Sequence, residues 1–207
     1  MLFKIVFLGE HTNHDLGNKY AIAPLTSSVA LLSDGVTNVL FDTGSLAWQE
    51  KLISGLAEIG LTPDDITHVL LTHFHLDHTA NCILFKNAEI HANRSLIKHK
   101  SGRAEIYVDL KQKPLPLGIT VEPTPGHTDD HVSYFFNFDG IKYCMAGDAV
   151  REDLIESGGP HYMHGARKEQ FLNSMRLIFN SCDVIIPGHF AIIEKENKKK
   201  FSDILNN

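Results

Sequence analysis

The stretch Thr72-His73-Phe74-His75-Leu76-Asp77-His78 packs three imidazoles and a carboxylate into six consecutive positions, directly after the apolar run Val69-Leu70-Leu71. A short continuous apolar run of this kind reads as a buried strand. If strand geometry persists beyond it, His73, His75 and Asp77 project to one side, and a turn beginning near Asp77 swings His78 round. Such a segment can feed two adjacent metal ions. Imidazole and carboxylate together suit zinc, iron, manganese or cobalt, and with no clustered cysteine the pattern fits an open, catalytic site better than a closed structural one.

Three further candidates stand at apparent strand ends: His127 in Thr124-Pro125-Gly126-His127-Thr128, Asp148 in Ala146-Gly147-Asp148, and His189 in Ile186-Pro187-Gly188-His189. A glycine precedes each, which lets the backbone turn sharply and leaves the polar side chain at the edge of a rigid scaffold.

Outward from these positions the chain alternates strand and helix patterns. Leu2 to Leu8 reads as a first strand and His11 to Tyr20 as a polar loop. Ser28 to Leu32 and Val39 to Phe41 flank a Ser33-Asp34-Gly35 turn signal, which predicts a hairpin. Leu46 to Ile59 carries apolar residues at helical spacing with Gly60 as a stop. Thr62-Pro63-Asp64-Asp65 resembles a short helix start, Glu89 to His91 a strand, and Arg94 to His99 a helix. Strands are expected at Ile119 to Val121, Val132 to Phe138 and Ile141 to Ala146, with Asp139-Gly140 as a turn. A helix over Gly165 to Phe179, a strand at Val184 to Ile186 and a solvated, lysine-rich terminal helix over Glu194 to Asn207 complete the reading. Mixed strands with helices at both ends predict an α/β layered sandwich, and residues 1–207 read as one domain without repeat or linker.

Composition narrows the function. Nineteen basic against twenty-five acidic side chains give a formal charge of −6, a poor match to phosphate backbones, so nucleic acid is not the expected partner. The run Lys195 to Lys200 reads as a solvated face. Cys82, Cys144 and Cys182 are odd in number and set among apolar neighbours, as buried thiols of a reducing compartment are. No apolar run reaches the length of a membrane span, and the opening strand lacks a cleavage pattern, so a cytoplasmic protein is expected.

The seven positions together closely resemble the metallo-β-lactamase superfamily, whose signature is H-x-H-x-D-H followed by separated His, Asp and His ligands. The resemblance implies a four-layer αββα sandwich, two mixed sheets flanked by helices, with two divalent ions at one edge between the sheets. It implies one ion on His73, His75 and His127, the second on Asp77, His78 and His189, and Asp148 bridging them. Zinc is the first expectation, with iron or manganese as alternatives. Phe41-Asp42-Thr43-Gly44 matches a further family element, a strand-end aspartate that holds a ligand histidine through its other ring nitrogen.

Two ions about 3.5–4 Å apart can share a water and lower its pKa to about 7, so that a bridging hydroxide attacks a polarised carbonyl or phosphoryl group. Asp77 is then also placed to orient that hydroxide. No Gly-x-Ser-x-Gly elbow competes for the nucleophile's role. Aspartate at position 148 departs from the best-known zinc β-lactamases, which carry cysteine there. Thr124 to Thr128 followed by His131-Val132-Ser133-Tyr134 resembles glyoxalase II and related thioesterases. About 18 residues follow His189, where glyoxalase II carries substrate-binding helices, so a smaller ester is expected. The expectation is hydrolysis of a small ester, thioester or lactone. The alternatives are a phosphodiesterase or nuclease of the same fold, a mononuclear iron persulfide-type dioxygenase, and a non-enzymatic metal-binding scaffold. His11, Asn13 and His14, and His161, Tyr162 and His164 in the insert after Asp148, are candidate pocket residues. His68, His91 and His99 read as ordinary surface or strand-end residues.

Overall fold

The computed structural model describes residues 1–156, 165–194, 197–199 and 201. A mixed seven-stranded sheet is built from β1 (Leu2–Phe7), β4 (Val29–Ser33), β5 (Asn38–Phe41), β6 (His68–Leu71), β7 (Glu89–Ala92), β8 (Ser95–Lys98) and β9 (Arg103–Ile106), in the order β1-β4-β5-β6-β7-β8-β9. A mixed four-stranded sheet has the order β10 (Thr120–Pro123), β11 (Val132–Phe138), β12 (Ile141–Gly147) and β13 (Val184–Pro187). The remaining pair, β2 (Glu10–Asp15) and β3 (Tyr20–Thr26), forms a separate hairpin.

Three apolar clusters fill the spaces between four layers. Alternation along β4 sends Leu31 outward and Leu32 inward, as a two-residue period requires. Leu31, Leu40, Val69 and Leu71 meet Leu52 and Leu56 of α1 (Gln49–Ala57) on the outer face of the larger sheet. Leu32, Val39, Phe41 and Leu70 meet Val121, Tyr134, Phe136, Met145 and Ile186 between the sheets. Phe135, Cys144, Ala146 and Ile185 meet Phe171, Met175 and Ile178 of the long helix Gly165–Ser181. The expected αββα sandwich is therefore the observed one.

Two local readings are corrected. Residues His11 to Tyr20 are not a loop: they hold most of β2 and the turn into β3. β2 is polar on both faces and almost wholly exposed, so it has no apolar alternation to read. Its turn is set by Asp15, whose Oδ1 accepts from Gly17 N–H at 2.8 Å, and by Gly17 at φ 81°. Arg94 to His99 is not a helix, because Asn93 adopts φ 45° and reverses the chain, pairing β8 antiparallel to β7. His161, Tyr162 and His164 lie outside the described residues, as does most of the expected terminal helix, of which 197–199 and 201 are helical.

The parallel pairs β5–β6 and β12–β13 place their carboxyl ends on one rim of the sandwich. Tyr134 Oη donates to the Leu71 carbonyl at 2.9 Å, and Val132 N–H to that of Thr72 at 2.9 Å, stitching the two sheets together there.

Candidate metal centre

The donors stand at this rim, on strand ends and on the segments that follow them. β6 runs into Thr72 and His73, β12 into Asp148 and β13 into His189, while Leu76–Thr79 forms one helical turn, α2, that carries Asp77 and His78. Gly147 sits at φ 51°, where an L side chain is strained. Gly188 is required for space instead: a Cβ there would overlap the Asp148 carboxylate and crowd the His78 ring.

The donors converge in two overlapping groups. His75 Nδ1 lies 3.0 Å from His73 Nε2 and 3.0 Å from His127 Nε2. Asp77 Oδ2 lies 3.6 Å from His78 Nε2 and 3.4 Å from His189 Nε2. Asp148 reaches both, with Oδ2 3.4 Å from His127 Nε2 and from His189 Nε2, and Oδ1 3.2 Å from His78 Nε2. All seven sequence-derived candidates thus meet within one cluster.

The hydrogen bonds behind the rings fix which nitrogen faces inward. His78 Nδ1 donates to Asp42 Oδ2 at 2.8 Å, and His189 Nδ1 to the Thr26 carbonyl at 2.9 Å. Thr72 Oγ1 gives its proton to Asp42 Oδ2 at 2.8 Å, so it accepts from His73 Nδ1 at 3.1 Å. In each case Nε2 is the nitrogen aimed into the cluster, a ligand atom once its proton is displaced.

Lone pairs and carboxylates that face one another at 3.0–3.6 Å need a cation between them. His78 Nε2 and Asp148 Oδ1 are both buried without a hydrogen-bond partner. Burial alone would depress the His78 pKa, yet the charges of Asp42 and Asp148 hold it well above the ordinary histidine value. Burial likewise opposes protonation of His189, which Asp148 and Asp77 raise to about 9. His127, desolvated by burial, is pushed down to about 4 and stays a neutral donor. A negative field that holds protons on His78 and His189 until a stronger cation displaces them, together with a neutral His127, fits a divalent metal.

Two residues absent from the sequence-derived set also act here. Thr72 ties the Asp42 carboxylate to the His73 ring, and its backbone N–H donates to Asp42 Oδ1 at 2.8 Å. His131, fully buried, accepts the Asp148 backbone N–H at Nε2, 3.1 Å away, and gives Nδ1–H to Thr124 Oγ1 at 2.9 Å. A hydroxyl beside a ligand histidine leaves no mark in sequence, whereas His131 stood in a stretch already quoted for its family resemblance.

A cavity of about 690 Å³ opens over the donors. Its far wall is the β2–β3 hairpin, with Asn13, Tyr20, Ile22 and Leu25, and Arg151 and Leu154 close one side. His11 lies in it, its ring centroid 5.1 Å from that of His189 and its Nε2 3.4 Å from Arg151. His14 instead bonds the Ala23 carbonyl across its own hairpin at 2.7 Å and is not among the cavity-lining residues.

The family model of the metallo-β-lactamase superfamily matches residues 22–189. The chain belongs to this superfamily. It is 34% identical over 171 residues to metallo-β-lactamase domain-containing protein 1 of Xenopus laevis, covering 78% of this chain and 70% of that one. It is 30% identical over 185 residues to the atrochrysone carboxyl ACP thioesterase of Aspergillus fumigatus, covering 84% and 54%. Among solved structures, a provisionally assigned metallo-β-lactamase from Thermotoga maritima superposes with a TM-score of 0.69 at 23% identity, over 93% of this chain and 98% of that one, and shows the shared fold. Family and donor set together imply a hydrolase-type protein that uses divalent metal. No helix among the described residues is long and apolar enough to cross a membrane.

Proposed function

We propose that the chain is a binuclear metal-dependent hydrolase of small esters, thioesters or lactones. The observation that carries this reading is Asp148, whose two carboxylate oxygens face both histidine groups at 3.2–3.4 Å. One ion is assigned to His73, His75 and His127, the other to Asp77, His78 and His189, with Asp148 shared. Two ions so held would supply a hydroxide nucleophile near neutral pH and a Lewis acid for the substrate carbonyl, and zinc suits the donors best. Asp77, bound low in pKa against the opposing effect of burial by its bond to His189, remains an acceptor that orients the attacking group. Asp42 and Thr72 hold the rings of His78 and His73 in place.

The substrate class follows from the cavity. Tyr20, Ile22, Leu25 and Leu154 offer an apolar wall beside the donors, suited to an acyl chain. A formal charge of −6 does not favour a polynucleotide. The thioesterase named above is 30% identical, which agrees with an acyl substrate.

Elemental analysis of the purified chain, followed by a panel of thioesters, lactones and phosphodiesters, tests the reading. Two zinc, manganese or cobalt ions held by the seven-residue cluster, counted as those lost when its residues are replaced, with acyl-ester turnover is the expected result. Near one iron with oxygen uptake on a persulfide, or turnover of phosphodiesters alone, would replace it.

A further inference from the structure

His91 was expected to be an ordinary strand-end residue, but it is 1% exposed and neither of its ring nitrogens has a hydrogen-bond partner. A buried imidazole with both nitrogens orphaned is costly, since each loses its water without replacement. Its neighbours are the other two donors of a compact set. His68 opens β6 and pairs in register with Glu89, which opens β7, two residues before His91. The ligand atoms of His68, Glu89 and His91 all lie within 4.8 Å of one another.

The contacts around His68 settle which of its ring nitrogens faces Glu89. Thr67 Oγ1 lies 3.0 Å from the Asn38 carbonyl and 2.9 Å from His68 Nδ1, so that ring nitrogen has its hydrogen-bond partner. With Nδ1 engaged by Thr67, His68 turns Nε2 toward Glu89 Oε2, 3.8 Å away. The same oxygen lies 4.0 Å from His91 Nε2. Neither distance is a hydrogen bond. Glu89 Oε1 is already taken by Lys98 Nζ at 2.8 Å, which fixes the carboxylate and leaves Oε2 facing the two rings. Lys113, the other cation beside His91, directs Nζ to the carbonyls of Asn93 and Ser95 at 2.7 and 2.8 Å.

We propose that His68 Nε2, Glu89 Oε2 and His91 Nε2 form a further divalent-cation site, at the start of β6 and β7 and separate from the seven-residue centre. Ligands bound at about 2.0–2.2 Å around a tetrahedral ion sit roughly 3.3–3.6 Å apart, so small rotations of these side chains close the set. Two imidazoles and one carboxylate select zinc among common divalent ions, with calcium and magnesium disfavoured. The His68 and Glu89 side chains are 20% and 34% exposed, so an ion can enter from solvent while His91 backs the site.

The test uses the full chain and zinc. A His75→Ala/Asp148→Ala variant cripples the other centre, and it should still bind zinc. Adding Glu89→Gln, a half-exposed change that spares the fold, should remove one ion per chain. In the wild-type background Glu89→Gln should lower zinc content by one ion and leave hydrolysis within about twofold. Anomalous diffraction at the zinc edge from wild-type crystals should show a peak between the three atoms. An unchanged zinc count in both backgrounds, or an empty position in crystals whose other centre is loaded, overturns the proposal.

Discussion

The His78 imidazole donates from Nδ1 to the Asp42 carboxylate at 2.8 Å, with both side chains essentially excluded from solvent. Asp42 reaches this position at φ 52°, a backbone state that aspartate tolerates better than most residues. Its remaining lone pairs take the N–H and hydroxyl of Thr72. One carboxylate thus orients His78 directly and His73 through Thr72. Asp42→Asn should weaken metal binding and turnover by about 10- to 100-fold, with chelator competition against zinc as the check. Wild-type affinity in this variant would deny Asp42 its positioning role.

His75 Nδ1 is shared by the short contacts to His73 and His127, and Asp148 spans both groups. His75→Ala and Asp148→Ala should each reduce metal-dependent turnover by about a thousandfold or more, several kcal/mol of lost transition-state stabilisation. Circular dichroism should show both folded. Full activity at matched metal content would overturn the ligand assignment.

Gly188 lies where even one methyl group meets the Asp148 carboxylate. Gly188→Ala should displace Asp148 and cost about 1–3 kcal/mol of stability, since the neighbouring backbone is held by the Gly188 N–H bond to Gly147 at 2.8 Å. Urea unfolding with parallel metal analysis measures both effects, and an unaltered metal content would mean that the loop yields more easily than this geometry allows.

The metal-free protein should be less stable in mild acid. Burial pushes the His131 pKa down to about 3, against an ordinary 6.5. Between these values the unfolded chain takes up a proton and the folded chain does not, so stability falls as pH falls, by about 1.4 kcal/mol per unit for such a group. His189, raised to about 9, acts in the other window: its contribution is complete below 6.5 and fades as pH rises toward 9. Chelator-treated protein should therefore be most stable near neutrality. A denaturant midpoint that stays flat from pH 7 to pH 5 would contradict the burial of a neutral His131.

Tyr20 and Ile22 are 74% and 41% exposed on the hairpin yet line the cavity. Tyr20→Ala and Ile22→Ala should raise KM for long-chain acyl esters several-fold and change stability by no more than about 0.5 kcal/mol. Equal KM values for short and long chains in both variants would exclude the hairpin from substrate contact.

The donor cluster was legible in sequence because four of its members are packed into the six positions 73–78 after an apolar run, and the other three each follow a glycine. The layers were legible because Leu31 and Leu32, or Phe135 and Phe136, alternate between distinct apolar clusters. The β2–β3 hairpin was not, since its first strand is held by backbone bonds and buries almost nothing. Nor was the environment of His91, whose burial depends on β6, β8 and the Lys113 segment meeting around it. The service of Thr72 and His131 depends on partners 30 and 17 residues away in sequence, brought together only when strands pair.

The hairpin has a wider consequence. It is joined to the body at its base, where Thr26 O accepts from His189 and Ser27 N–H donates to the Asp77 carbonyl at 3.0 Å. Beyond that base its strands bond chiefly to each other. In the proposed hydrolase, metal centre and substrate wall are therefore separable parts: residues 13–22, which exclude His11 and its ring contact with His189, can be exchanged for another hairpin of equal span without altering a donor. On the proposed function, selectivity is portable, and a library confined to that segment would explore new substrates on an unchanged metal centre.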